Sequence, residues 1–127
     1  MTSIRTLFIT AGLAAALVAG TAAQAHPRLV SSMPAANATV AKPAKIELHF
    51  NEALVAQFSG VDVVMTDMPG MKMAPMKVAV DTSVGADGKT LVVAPKAPLH
   101  AGTYKVDWHA VTTDTHRVNG SFSFKVQ

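Results

Sequence analysis

Tyr104-Lys105-Val106-Asp107-Trp108-His109-Ala110 alternates apolar and polar residues without a break. Side chains along an extended backbone point to opposite faces in turn, so Tyr104, Val106, Trp108 and Ala110 fall on one face and Lys105, Asp107 and His109 on the other. The pattern predicts a half-buried strand with Trp108 in the core. Ile46, Leu48 and Phe50 share one face of Lys45–Phe50, and Phe122, Phe124 and Val126 share one face of Ser121–Val126. Val61–Met65, Lys77–Val80 and Thr90–Ala94 are shorter β-rich runs, the last two joined by the turn signal Gly85-Ala86-Asp87-Gly88. Pro34–Pro43 and the stretch around Pro95, Pro98 and Gly102 read as connections. No helical stripe of useful length follows residue 25. About seven short strands in one all-β domain, an immunoglobulin-like Greek-key sandwich or barrel, are predicted over residues 26–127.

The first 25 residues are of another kind. Arg5, an apolar run from Leu7 to Gly20 and the small-x-small triplet Ala23-Gln24-Ala25 form the three parts of a secretory signal peptide. The alternative, a membrane anchor, needs about 20 apolar residues, which this Ala/Gly/Thr-rich stretch barely supplies. Cleavage after Ala25 would export residues 26–127 with His26 at the front and no membrane insertion. The chain has 11 Lys and Arg against 8 Asp and Glu, and without Arg5 the balance is +2 with the histidines neutral. So weak a bias, with no basic run, gives nucleic acid binding no support. There is no cysteine, so packing alone holds the fold and any soft metal ligand is methionine.

A terminal histidine carries an α-amine and an imidazole Nδ1 close enough to chelate one ion. The free amine has a pKa of about 7.7 to 8, so a strong Lewis acid displaces its proton near neutral pH. Pro27 has no backbone N–H and cannot extend the chelate along the chain, so further ligands must come from elsewhere in the fold. Asp114 and His116, two residues apart, would present a carboxylate and an imidazole on one side of an extended segment. Amine, two imidazoles and a carboxylate suit tetragonal Cu(II), with zinc possible on the same donors. Glu52 is a further carboxylate able to ligate or to orient a histidine. His49, His100 and His109 read as solvated or structural.

Five of the seven methionines, Met65, Met68, Met71, Met73 and Met76, lie within twelve residues. Asp67–Met76 has two prolines, a glycine and no regular period, so it reads as a loop, and loops rarely expose so much apolar side chain without a use. Core filling would follow the period of an element. Thioethers are neutral, soft donors that select Cu(I) over harder ions.

The combination of His26-Pro27, Leu29-Val30-Ser31-Ser32, Ile46-Glu47-Leu48-His49-Phe50, Gln57-Phe58-Ser59-Gly60, Met68-Pro69-Gly70-Met71, Ala101 through Trp108, Asp114-Thr115-His116 and Phe124-Lys125-Val126 resembles the CopC family of periplasmic copper-resistance proteins. The resemblance implies a seven-stranded Greek-key β-barrel with Cu(II) and Cu(I) sites at opposite ends. It implies Cu(II) on His26, Asp114 and His116, and Cu(I) on Met65, Met68, Met71, Met73 and Met76. Family members with a full loop often have a histidine near the position of Met73, so an all-thioether loop here should bind Cu(I) with less sensitivity to pH. The implied partners are copper ions, a CopD-type inner-membrane copper transporter and other periplasmic copper-resistance proteins. A carrier or buffer that performs no turnover is the leading expectation. The competing readings are a small copper monooxygenase built on an N-terminal histidine, disfavoured by one Trp and one Tyr in the whole chain, and an immunoglobulin-like protein-interaction module.

Overall fold

The computed structural model describes residues 26–127, and the expected signal peptide at 1–25 lies outside the described residues. Among the described residues nine strands form two sheets. The first sheet has the order β1 (Leu29–Met33), β3 (Ile46–Phe50), β7 (Thr90–Pro95) and β6 (Val80–Val84). The second has the order β2 (Thr39–Val40), β9 (Arg117–Val126), β8 (Gly102–Val111), β4 (Gly60–Asp67) and β5 (Met76–Val78). All pairings are antiparallel except β2 with β9. The all-β sandwich is as predicted, with nine strands among the described residues where about seven were expected, and two of the edge strands are short: β2 has two residues and β5 three.

Alternation puts the core between the sheets. Ile46, Leu48 and Phe50 from β3 and Leu91 and Val93 from β7 meet Val61, Val63 and Met65 from β4, Tyr104, Val106 and Ala110 from β8, and Phe124 and Val126 from β9. Tyr104 and Phe124, directly opposite in register, stack at 5.6 Å. Trp108 faces inward but is only half-buried. Its edge contact with Phe50 at 5.1 Å joins the sheets, and its indole lies over Gly120, where an added Cβ would come within 2.6 Å of the ring.

Three predicted boundaries shift. Lys77–Val80 is not one strand: β5 pairs with β4 in the second sheet, and after Ala79 the chain enters β6, which pairs with β7 in the first. The Pro34–Pro43 connection contains β2, and the last strand starts at Arg117, ahead of Ser121. The turn at Gly85–Gly88 does join β6 to β7, with Gly88 at φ 72°.

Candidate metal centres

β8 organises both groups of candidate donors. Its ten residues rise about 3.3 Å each, so its two ends are roughly 30 Å apart. Asp114 and His116 follow its end, whereas Met65 and Asp67 pair with Tyr104 and Thr103 at its start.

Asp114 and His116 lie in the hairpin turn between β8 and β9 and not in extended backbone. Thr115 between them has φ 73°, left-handed backbone that a β-branched residue seldom adopts. The turn is held by the Thr112 amide donating to the His116 carbonyl at 2.9 Å and the Thr115 amide donating to the Thr112 carbonyl at 2.9 Å. The two side chains still converge, with His116 Nδ1 3.0 Å from Asp114 Oδ2. The hydroxyl of buried Thr112 donates to Asp114 Oδ1. That hydroxyl first, and His116 second, hold the Asp114 carboxyl below the usual aspartate range. A carboxylate only accepts, so Nδ1 carries the proton and Nε2 is left to ligate. As placed, Asp114 therefore holds the ring from behind, and direct ligation requires the carboxylate to swing off Nδ1.

His26 reaches the same end through Asn51, a residue that sequence reasoning passed over. Asn51 Nδ2 donates to the His26 carbonyl at 3.1 Å, and Asn51 Oδ1 accepts from the Arg28 amide at 2.8 Å. Pro27 between them is buried. Two residues on, the Ala53 carbonyl accepts from the Thr113 amide at 3.2 Å, and Leu54 bridges Thr112. The run from Asn51 to Leu54 thus ties the His26 segment to the Asp114–His116 turn, with half-buried Glu52 inside it. Among the described residues no three His, Asp or Glu side chains already gather closely enough to hold an ion. The α-amine would exist only on a chain cut before His26, as the sequence reading expects.

The methionine segment divides. Met65 follows the inward period of β4 and is 6% exposed, so its thioether belongs to the core as well as to the cluster. Met65 ends the predicted Val61–Met65 run as its last inward residue, so it has the regular period that the cluster as a whole lacks. Met76 opens β5 directly opposite Met65. Between them Met68 and Met71 bridge across the Pro69-Gly70 turn, where Gly70 has φ 77°. Met68 and Met73 pack on the core, while Met71 and Met76 are 60% and 59% exposed. Of the other histidines, His49 has Nδ1 3.0 Å from Thr90 Oγ1 and Nε2 3.5 Å from Glu47 Oε2. The ring of His109 covers Gly60.

A family model for the CopC domain matches residues 29–127. Copper resistance protein C of Pseudomonas syringae pv. tomato is 57% identical over 123 residues, covering 97% of each chain. The crystal structure of PcoC, a methionine-rich copper resistance protein from Escherichia coli, is similar at TM-score 0.75 and 48% identity, over 81% of this chain and all of that one. CopC from Methylosinus trichosporium OB3b is similar at TM-score 0.67 and 26% identity, over 80% of this chain and 94% of that one. A sandwich with soft donors at one end of β8 and nitrogen and oxygen donors at the other, matched at this level along nearly its whole folded length, places the chain in the CopC family.

Proposed function

We propose that this protein is a periplasmic copper carrier or buffer that holds Cu(II) at its processed N-terminus and Cu(I) in its methionine segment, and performs no turnover. The observation that carries the reading is the separation of two donor sets by the length of β8. Relatives named for copper resistance support the copper cargo. The donor chemistry fits both oxidation states: amine and imidazole for Cu(II), thioether for Cu(I). His26 and His116 ligate Cu(II), with Asp114 orienting His116 or closing the plane. Met65, Met68, Met71, Met73 and Met76 supply the Cu(I) donors. Two of these sulfurs sit on exposed side chains, open to a partner that takes or gives the ion. A CopD-type membrane transporter is the partner this reading assigns.

Copper titration of the exported protein tests it. The expected result is about one Cu(II) and one Cu(I) per chain, from the donor counts. Binding of neither removes the carrier reading, and reductant-dependent oxygen consumption with oxidised sugar products would replace it with a monooxygenase.

A further inference from the structure

A cleft of about 200 Å³ opens beside the methionine segment, between the second sheet and the connection that runs from β7 to β8. Met65, Met76 and Tyr104 line it from the sheet, and Leu99 and His100 line it from the connection. We infer that His100 donates an imidazole nitrogen to Cu(I) in this cleft, completing a mixed thioether–imidazole site with Met65 and Met76.

Three observations converge on it. Met76, Met65 and Tyr104 are consecutive register partners across β5, β4 and β8, so their side chains share one face. Directly opposed residues have Cβ atoms about 5 Å apart, which lets two thioethers touch one ion. The methyl end of Met65 reaches Gly102, where an added Cβ would come within 2.5 Å of it, so the thioether is delivered to the strand end that His100 precedes by two residues. Finally, the Tyr104 hydroxyl donates to the His100 carbonyl at 2.7 Å, pinning the backbone of His100 over that row. The two lysines on the cleft are drawn elsewhere: Lys77 to Asp62 at 3.2 Å and Lys96 to Asp81 at 3.7 Å. Two soft sulfurs and one imidazole form a donor set that suits Cu(I) and discriminates against ions preferring oxygen. His100 itself is exposed and already lines the cleft.

This inference rests on the methionine segment being a Cu(I) site, and the test separates the two. X-ray absorption of the Cu(I)-loaded exported protein is compared with that of His100→Ala and of His26→Ala, alongside Cu(I) affinity by competition with a colorimetric Cu(I) chelator. The Tyr104 bond goes to a backbone carbonyl, so His100→Ala keeps it. The expected result is a nitrogen scatterer among sulfurs that disappears only in His100→Ala, with affinity lowered at least about tenfold, the scale on which even outer partners of a ligand act. Sulfur-only coordination, or a nitrogen signal unchanged in His100→Ala, overturns the role of His100 and leaves the methionine site standing. Failure of the unmodified protein to bind Cu(I) overturns both.

Discussion

At the Val111 end of β8 the candidate donors are placed by polar contacts: Thr112 grips Asp114, Asp114 grips His116, and Asn51 grips the His26 segment. At the Gly102 end they are placed by packing, with Met65 in the core, Met68 and Met73 against it, and only Met71 and Met76 well exposed. The polar end gets its geometry from hydrogen bonds, and on the function proposed above its decisive donor, the α-amine, comes from a covalent cut. The soft end needs no such cut and no deprotonation, yet its sulfurs also fill the fold. Changes at the polar end should therefore act mainly on copper binding, whereas changes at the packed sulfurs of the soft end should couple binding to stability.

The largest effect expected comes from adding one residue before His26. That removes the chelating amine, and Cu(II) affinity should fall at least about a hundredfold, beyond what outer-shell partners contribute. The nitrogen-rich electron spin resonance signal should vanish while Cu(I) binding is unchanged; loss of both ions would break the comparison. Next is Met65 against Met71. Met65→Ala empties a core position and should cost about 2–5 kcal/mol in denaturant unfolding. Met71→Ala, on an exposed side chain, should stay within about 0.5 kcal/mol, and both should weaken Cu(I). Asn51→Ala is third. It removes two exposed hydrogen bonds of about 1 kcal/mol each at most, and should weaken Cu(II) by about tenfold without touching Cu(I).

The smallest effect comes from the turn between β6 and β7, which supplies no candidate donor. Asp87 accepts from the Lys89 amide and the Thr90 hydroxyl, both at 2.9 Å, and these bonds, the amide first, hold its carboxyl below the ordinary value. A carboxyl depressed in the folded state stabilises above its unfolded value of about 3.9 and loses that contribution as pH falls through the folded one. Asp87→Asn should flatten the acid limb of a pH–stability curve slightly, with both copper affinities unaltered.

Much of this was legible from residues alone, and the rest fails for identifiable reasons. The faces of Tyr104–Ala110 and Ile46–Phe50 hold because each strand meets the core on one side only, so period 2 survives in the sequence. Leu29–Met33 escaped because an edge strand with three of its five residues exposed carries no such period. The sheet change at Ala79 depends on which distant strand each three- to five-residue segment finds, and no local pattern encodes that. Met65 belongs both to the predicted Val61–Met65 run and to the methionine cluster, and its inward place in the row Val61-x-Val63-x-Met65 makes it the core member of that cluster. Asp114 and His116 do converge, but through a turn and not through extended backbone, because a left-handed Thr115 is not announced by its side chain. Asn51 gave no signal as a donor. Its work is to position others, and only the fold shows what it holds.

The sheet order has one more consequence. The four marginal strands are two chain-consecutive couples: β1 leads to β2 through residues 34–38, and β5 to β6 through Ala79, each couple passing from one layer to the other. Both flanks of the sandwich are thus hemmed by the chain itself, and two of the margins, at two and three residues, are too brief to template an incoming strand. A molecule without a single disulfide can in this way be kept from zipping onto its own copies.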